Sequence, residues 1–452
     1  MISIPNFINQ VQQGNIDPVE NIHKVLEEAK KIDQNYNYFT TISEELAIKQ
    51  AEQLKKNPKG KLAGLPISVK DAICVKDVES AAGSRILKGY TSPFNATVIE
   101  KIIKEGGIII GKTTQDEFGF GAFSVNTEKI PKNPFNKERT TGGSSGGSAG
   151  VTQRLDLPHM SLGESTGGSI AEPSAFCGVA GLTPTYGLVS RYGLIDYSSS
   201  MDKIGPIAQE PQDTFLLLDV IKGKDEKDPT TINPEKKSSE VKKVAIIKEA
   251  LDACPPEITK LITSKIETYD IVSLPNTIKF SLPAYYFIAT AEASSNLAKF
   301  CGLRYGATEQ LQGTFSEYFT KVRSKQFQKE SKRRIILGTF ARMAGFRNAY
   351  YVKAMKVRTL LINEYQKAFK KYDVLISPTT PTIAPKFGEI EKMTPLENYK
   401  MDVLTVGPNL TGLPHISMNI GSVQQMPVGL MAIANHLEEQ KLKELAQKIR
   451  SS

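Results

Sequence analysis

Between Asp17 and Asn57 the apolar residues fall at helical spacing. Val19, Ile22, Val25 and Leu26 make one stripe with charged positions opposite. This pattern predicts that residues 6–57 are helical, with a start signal at Asp17-Pro18 and a break at Asn57-Pro58-Lys59-Gly60. The pattern then changes to short apolar runs separated by helical stretches. Leu65–Val69 and Ile108-Ile109-Ile110 are predicted strands, with a helix near Val98–Lys104 between them. A polar, Pro-containing segment over 225–240 is the best linker candidate. Val244-Ala245-Ile246-Ile247 is strand-like, 284–300 and 314–372 are mostly helical, and Val374-Leu375-Ile376-Ser377-Pro378 is a buried-strand run. Residues 437–450 form a charged amphipathic helix. Strands alternating with helices indicate an α/β chain, and no internal repeat is visible.

The length of 452 residues allows one large domain or two to three ordinary ones. Hydrophobic content of 40% and charged content of 23% suit a soluble globular protein with a substantial core. No run is apolar for the roughly 18 residues a membrane span needs. The N-terminus lacks a basic start followed by an apolar run, so no secretory signal is expected. A cytoplasmic location follows, with an organelle matrix as the alternative. Cys74, Cys177, Cys254 and Cys301 are too scattered for a metal site or a disulfide framework. The net charge of +9 fits a lysine-rich surface and an acidic partner, such as nucleic acid, equally well. Its densest cluster is Lys329 to Arg334.

One motif points away from the rest. Gly106-Gly107-Ile108-Ile109-Ile110-Gly111-Lys112-Thr113 matches a phosphate-binding loop. That loop needs a strand before it and flexible backbone within it. Here a helix precedes it and three isoleucines fill it, so the stretch is predicted to be a strand leaving a glycine turn.

The informative chemistry lies in two glycine-serine turns and one lysine. The turns are Gly142-Gly143-Ser144-Ser145-Gly146-Gly147-Ser148 and Thr166-Gly167-Gly168-Ser169. The lysine ends the apolar run Ile67-Ser68-Val69-Lys70. A serine hydroxyl needs a base to become a nucleophile. A partly buried lysine can be that base, a second serine can relay the proton, and backbone N–H groups of a tight turn can hold an oxyanion. Such a site needs no histidine, and none of His23, His159, His415 and His436 sits in a catalytic sequence setting.

These motifs resemble the amidase signature family, whose Gly-Gly-Ser-Ser-Gly-Gly-Ser and Thr-Gly-Gly-Ser-Ile stand here as Gly142–Ser148 and Thr166–Ile170. The resemblance implies a central mixed β-sheet covered by helices on both faces, as one domain over 1–452. Within it, 1–57 would be an N-terminal helical region and 60–225 the core carrying the lysine and serine motifs. Residues 280–372 would be a helical substrate-pocket region, and 373–452 would return to the sheet and end in a helix. It makes Ser169 the nucleophile, Ser144 a relay in a cis peptide and Lys70 the base. The oxyanion donors would be backbone groups of Thr166, Gly167, Gly168 and Ser169.

Stretches further on narrow the resemblance to the amidase subunits of tRNA-dependent amidotransferases. They include Pro184–Ile195, Ser198–Pro206, Glu292–Leu297, Arg333–Phe340 and Asn409–Pro414. This implies glutamine hydrolysis, with ammonia passed to a partner subunit that activates Glu-tRNA(Gln) or Asp-tRNA(Asn) with ATP and Mg2+. A small accessory subunit is also implied, with no cofactor or metal in this chain. Arg334 would pair with the glutamine carboxylate and Asp402 with its ammonium, with Tyr285 lining the pocket. Arg333, beside Arg334, is the alternative. A stand-alone amidase and a non-catalytic scaffold are the competing readings. The chain departs from the family at Ser165 for an aspartate (with Glu164 before it), Ala171 for an arginine (with Glu172 after it), Thr183 for a lysine, and Met431 for a glutamine.

Overall fold

In the computed structural model, which describes residues 2–235 and 237–451, the short apolar runs become strands of a single sheet. In chain order these are β1 (Phe39–Ile42), β2 (Pro66–Lys70), β3 (Ile108–Thr113), β4 (Met160–Ser165), β5 (Ala180–Thr183) and β6 (Lys203–Ala208). They continue with β7 (Val244–Ile247), β8 (Asp270–Val272), β9 (Val374–Pro378), β10 (His415–Val423) and β11 (Met426–Ala434). Their order across the sheet is β1-β3-β2-β4-β6-β5-β10-β11-β9-β7-β8. β2 runs parallel to β3 and β4, and β7 runs parallel to β8 and β9. From β4 to β9 the pairing is antiparallel, which gives the mixed sheet expected. Every residue of β2 to β6 is buried, so both faces of this part are covered by helices.

Helix boundaries follow the predicted signals where those signals are local. Asp17 caps the helix Pro18–Tyr36, accepting from Val19 N at 2.8 Å and Glu20 N at 3.4 Å. The helix predicted across 6–57 is, however, interrupted. Asn37 turns the chain in the left-handed region (φ 62°), and Phe39–Ile42 then pairs antiparallel with β3. Thr40, Thr41 and Ile42 are β-branched and suit this edge better than a helix. Helix resumes over Glu44–Lys55.

The phosphate-loop match is strand β3, as predicted. Its Lys112 is buried and consumed internally, donating to Asp71 O (3.0 Å) and Ser80 Oγ (2.8 Å). The described residues of 225–240 carry no helix or strand, yet Asp225 ties them down by accepting from Thr97 Oγ1 and Ser190 Oγ, each at 2.6 Å.

Candidate active site

Strand β2 delivers Lys70 at its C-terminal end, fully buried between β3 and β4. Its Nζ donates three hydrogen bonds, to Ser144 Oγ at 2.7 Å, Glu164 O at 2.8 Å and Glu164 Oε2 at 2.9 Å. Ser144 reaches this point because Gly142 (φ 76°) and Gly143 (φ 48°) bend the chain just ahead of the helix Gly146–Arg154. The expected cis peptide at Ser144 is not found, since no described peptide bond is cis. The two left-handed glycines supply the bend there. Ser145 Oγ donates to Glu164 O at 3.0 Å and so fastens the first serine turn to β4.

The second turn leaves β4 and enters the helix Ala171–Cys177. It lies directly on the first. A Cβ placed on Gly143 would come within 3.1 Å of Ser169 Cα and 2.6 Å of Pro173 Cδ. Gly167 is pressed against Tyr285, whose Cζ and hydroxyl would both lie 2.8 Å from a Cβ there. Among the described residues, the N–H groups of Gly167, Gly168 and Ser169 have no internal acceptor. Such a set of unpaired donors suits an oxyanion. The Thr166 side chain points elsewhere, with Oγ1 between Glu164 Oε1 (3.0 Å) and Asp202 Oδ1 (2.7 Å). One hydroxyl proton serves only one of these oxygens. Burial first and the Glu164 charge second push the Asp202 carboxyl well above the usual range, while its oxygens also accept from Tyr197 N (2.9 Å) and Ser198 N (3.0 Å).

Beyond this turn lies a wall of charged and aromatic groups. Arg334, on the helix Lys329–Arg342, is only 3% exposed. Its Nε donates to Glu330 Oε1 at 2.8 Å and its Nη1 to the Tyr197 hydroxyl at 2.7 Å. Its guanidinium stands 5.1 Å from the Tyr286 ring centre, 5.2 Å from Phe120, 5.5 Å from Tyr399 and 5.7 Å from Tyr197. Arg333 is partly exposed and pairs with Glu330 from outside. Arg334 is therefore the inward arginine. A cleft of about 150 Å³, lined by Gly121, Asn126, Glu330, Arg333, Arg334 and Tyr399 among others, opens beside it.

Asp402 accepts from the Tyr286 hydroxyl at 2.6 Å. It also faces Glu172, which in turn accepts from Thr405 Oγ1 at 3.0 Å. Both carboxyls are raised, chiefly by burial, and Glu172 further by the charge of Asp402.

The structure thus gathers Lys70, Ser144 and the Ser169 turn and sets Tyr285 against Gly167, with Tyr286 beside Tyr285 and both Arg334 and Asp402 on Tyr286. Sequence reasoning missed Glu164 as the partner of Lys70, Glu330 as the partner of Arg334, and the ring set Phe120, Tyr197, Tyr286 and Tyr399. Each histidine lies elsewhere. His159 is buried against Ser68, His415 against Leu413 O, His436 bonds Thr411 O, and His23 is on the surface.

Two serine turns stacked on a buried lysine, with no histidine at hand, define a class. The chain belongs to the amidase family, whose model matches residues 20–442. Its relatives include the amidase-family subunits of glutamyl-tRNA(Gln) amidotransferases. It is 44% identical, over 95% of its length and 94% of the relative's, to the one from Archaeoglobus fulgidus. The one from Natranaerobius thermophilus is 40% identical over 97% of this chain and 93% of its own. The solved structure of the corresponding Thermotoga maritima protein superposes with a TM-score of 0.81 at 32% identity, covering 100% of this chain and 94% of that one.

Proposed function

We infer that this chain is the glutamine-hydrolysing subunit of a tRNA-dependent amidotransferase. The observation that carries the reading is the contact of the Lys70–Ser144 pair and the Ser169 turn with a wall holding one inward arginine and one inward carboxyl pair. A stand-alone amidase for apolar amides calls for an apolar acyl pocket at that place. The names of the relatives support the same reading.

Arg334 holds the α-carboxylate of glutamine, a charge-assisted contact that a preset guanidinium makes well. Asp402 takes the α-ammonium. Ser169 Oγ attacks the side-chain carbonyl while its proton passes to Ser144 Oγ and the Ser144 proton passes to the Lys70 amine. The N–H groups of Gly167, Gly168 and Ser169 hold the oxyanion. The C–N bond breaks as the proton returns through Ser144 to the leaving nitrogen, giving ammonia and a glutamyl ester on Ser169. Water then attacks the ester by the same relay and releases glutamate.

Ammonia goes to a partner subunit that uses ATP and Mg2+ to activate Glu-tRNA(Gln), with Asp-tRNA(Asn) as a second substrate, in a complex completed by a small accessory subunit. The whole chain acts as one amidase domain in the cytoplasm or an organelle matrix.

The test is ammonia release from glutamine by the chain co-expressed with its tRNA-binding subunit. Wild type is expected to release ammonia, faster with misacylated tRNA and ATP, and Ser169→Ala to release none. Turnover of simple amides but not of glutamine would move the assignment to a stand-alone amidase.

A further inference from the structure

The base of this site carries a feature its family motif does not supply, a buried carboxylate in contact with the lysine. Glu164 lies on β4, one residue before the serine that replaces the family's aspartate. Its side chain is 4% exposed and that of Lys70 is 0% exposed, so their contact at 2.9 Å is shielded from solvent. Glu164 holds the amine twice, through its main-chain oxygen and its carboxylate, while the third donor goes to Ser144 Oγ. Three donated N–H bonds describe an ammonium. A base must instead be the amine, with two N–H bonds and one lone pair.

The geometry states where that lone pair goes. When one proton leaves, the two oxygens of Glu164 retain the remaining N–H bonds, and the lone pair points along the only direction left, at Ser144 Oγ. Glu164 therefore aims the base.

The other charged groups around the pair do not replace it. Asp116, on the loop after β3, accepts from Ser124 N (3.0 Å) and Asn126 N (2.7 Å). Burial pushes its carboxyl up to about 7, and the charges of Lys70 and Arg334 only moderate that rise. Asp202 faces Glu164 through Thr166 and is taken up by that hydroxyl, Tyr197 N and Ser198 N, from each of which it accepts. Gly119 closes the remaining side, since a Cβ there would stand 3.5 Å from Ser144 Oγ and 3.7 Å from Glu164 Oε2.

We propose that Glu164 is a positioning residue for the Lys70 base, directing its lone pair at Ser144. The inference rests on the reading of Lys70 as the base that activates Ser169, and not on which amide is the substrate. Lys70 gives up its ammonium proton to water once, before the first round. The catalytic cycle itself returns its proton to the leaving nitrogen and leaves the amine as it began.

The test reads the nucleophile directly, so that a wrong substrate cannot hide the result. The full-length chain is labelled with a fluorophosphonate, which reacts with activated serines. The rate of Ser169 modification is followed by intact mass from about pH 6 to about pH 9. Glu164→Gln keeps an acceptor of the same shape without the charge, and Glu164→Ser leaves only the main-chain oxygen. Glu164→Gln, which keeps an acceptor in that place, is expected to label at a plateau rate within about threefold of wild type. Glu164→Ser, with the amine held once, is expected to reach a plateau about tenfold or more below that of Glu164→Gln. Equal plateaus for Glu164→Ser and Glu164→Gln, or a Glu164→Gln that folds but labels no faster than background, would overturn the proposal. So would a wild type that is not labelled at Ser169 at any pH. Loss of glutamine turnover with labelling intact would instead count against the substrate reading alone.

Discussion

Arg334 is held from several sides before any ligand arrives. Glu330 takes its Nε, Tyr197 takes one terminal nitrogen, and four rings pack around the guanidinium. A planar fork fixed in this way can meet a carboxylate with little further ordering. A lysine can keep the charge but not the fork. Arg334→Lys is therefore expected to raise KM for glutamine about tenfold or more with a smaller change in kcat. Arg333→Lys, which alters only the outer pair with Glu330, is expected to leave KM within about twofold. Steady-state glutaminase kinetics of the two variants checks both. At this scale the sequence was legible where function sits in a dense motif. Ser144 and Ser169 stand in glycine-serine turns whose composition itself signals close packing, and Lys70 ends the apolar run of β2. The ring set was not legible, because Phe120, Tyr197, Tyr286 and Tyr399 come from four distant segments and only the fold brings them to one guanidinium. Glu164 was visible as a departure from the motif, but its contact with Lys70 depends on the pairing of β2 with β4.

Turns carry the chemistry here, and the strands aim them. β4 ends at Ser165, and within four residues the chain passes Tyr285, presents three free N–H groups and turns into a helix. There is no room in this passage for a side chain at Gly167. Gly167→Ala would force either the turn or the buried Tyr285 ring to move, because the new Cβ meets the ring at 2.8 Å. The expected result is a loss of roughly 10²-fold in kcat from a displaced nucleophile and oxyanion site. Thermal unfolding would change less, since the sheet behind the turn is untouched. Melting and turnover measured on the same preparation check this. Elements with a local signature were readable, among them β2, β7, β9 and the capped helix at Asp17. β1 was hidden inside a helical pattern because four edge residues cannot outweigh the periodicity on either side. The long hairpin β10–β11 was not foreseen, and the sheet order was unreadable for a related reason. Neighbours such as β5 and β10 are separated by roughly half of the chain, and no local pattern encodes that pairing.

Across the whole molecule, several lysines are buried where water would normally keep them charged. Burial pushes Lys203 down to about 7 and moves Lys101 and Lys112 in the same direction. The native state then binds fewer protons than the unfolded chain between pH 7 and 10.5 at Lys203, so stability rises with pH across that window. The slope from one such group is at most about 1.4 kcal/mol per pH unit. Buried thiols oppose this at higher pH, with Cys254 raised from 9.0 to about 12, and the raised carboxyls of Asp116, Glu172 and Asp202 oppose it from pH 7 upward, so the Lys203 contribution is read as a difference between wild type and Lys203→Gln. The urea midpoint of wild type relative to Lys203→Gln is expected to rise from about pH 7 to about pH 8. Lys203→Gln is expected to remove that part of the slope and raise the midpoint at pH 7.

The outer margins of the sheet carry a further consequence. An assembly of eleven strands ends on one side in β1, four residues long, and on the other in β8, three residues long. A margin that short offers a neighbouring chain few main-chain donors and acceptors to extend, even where Ile271 is open to solvent. The widest element of the fold is thus also the one least able to grow, which keeps copies of the chain from joining edge to edge at high concentration.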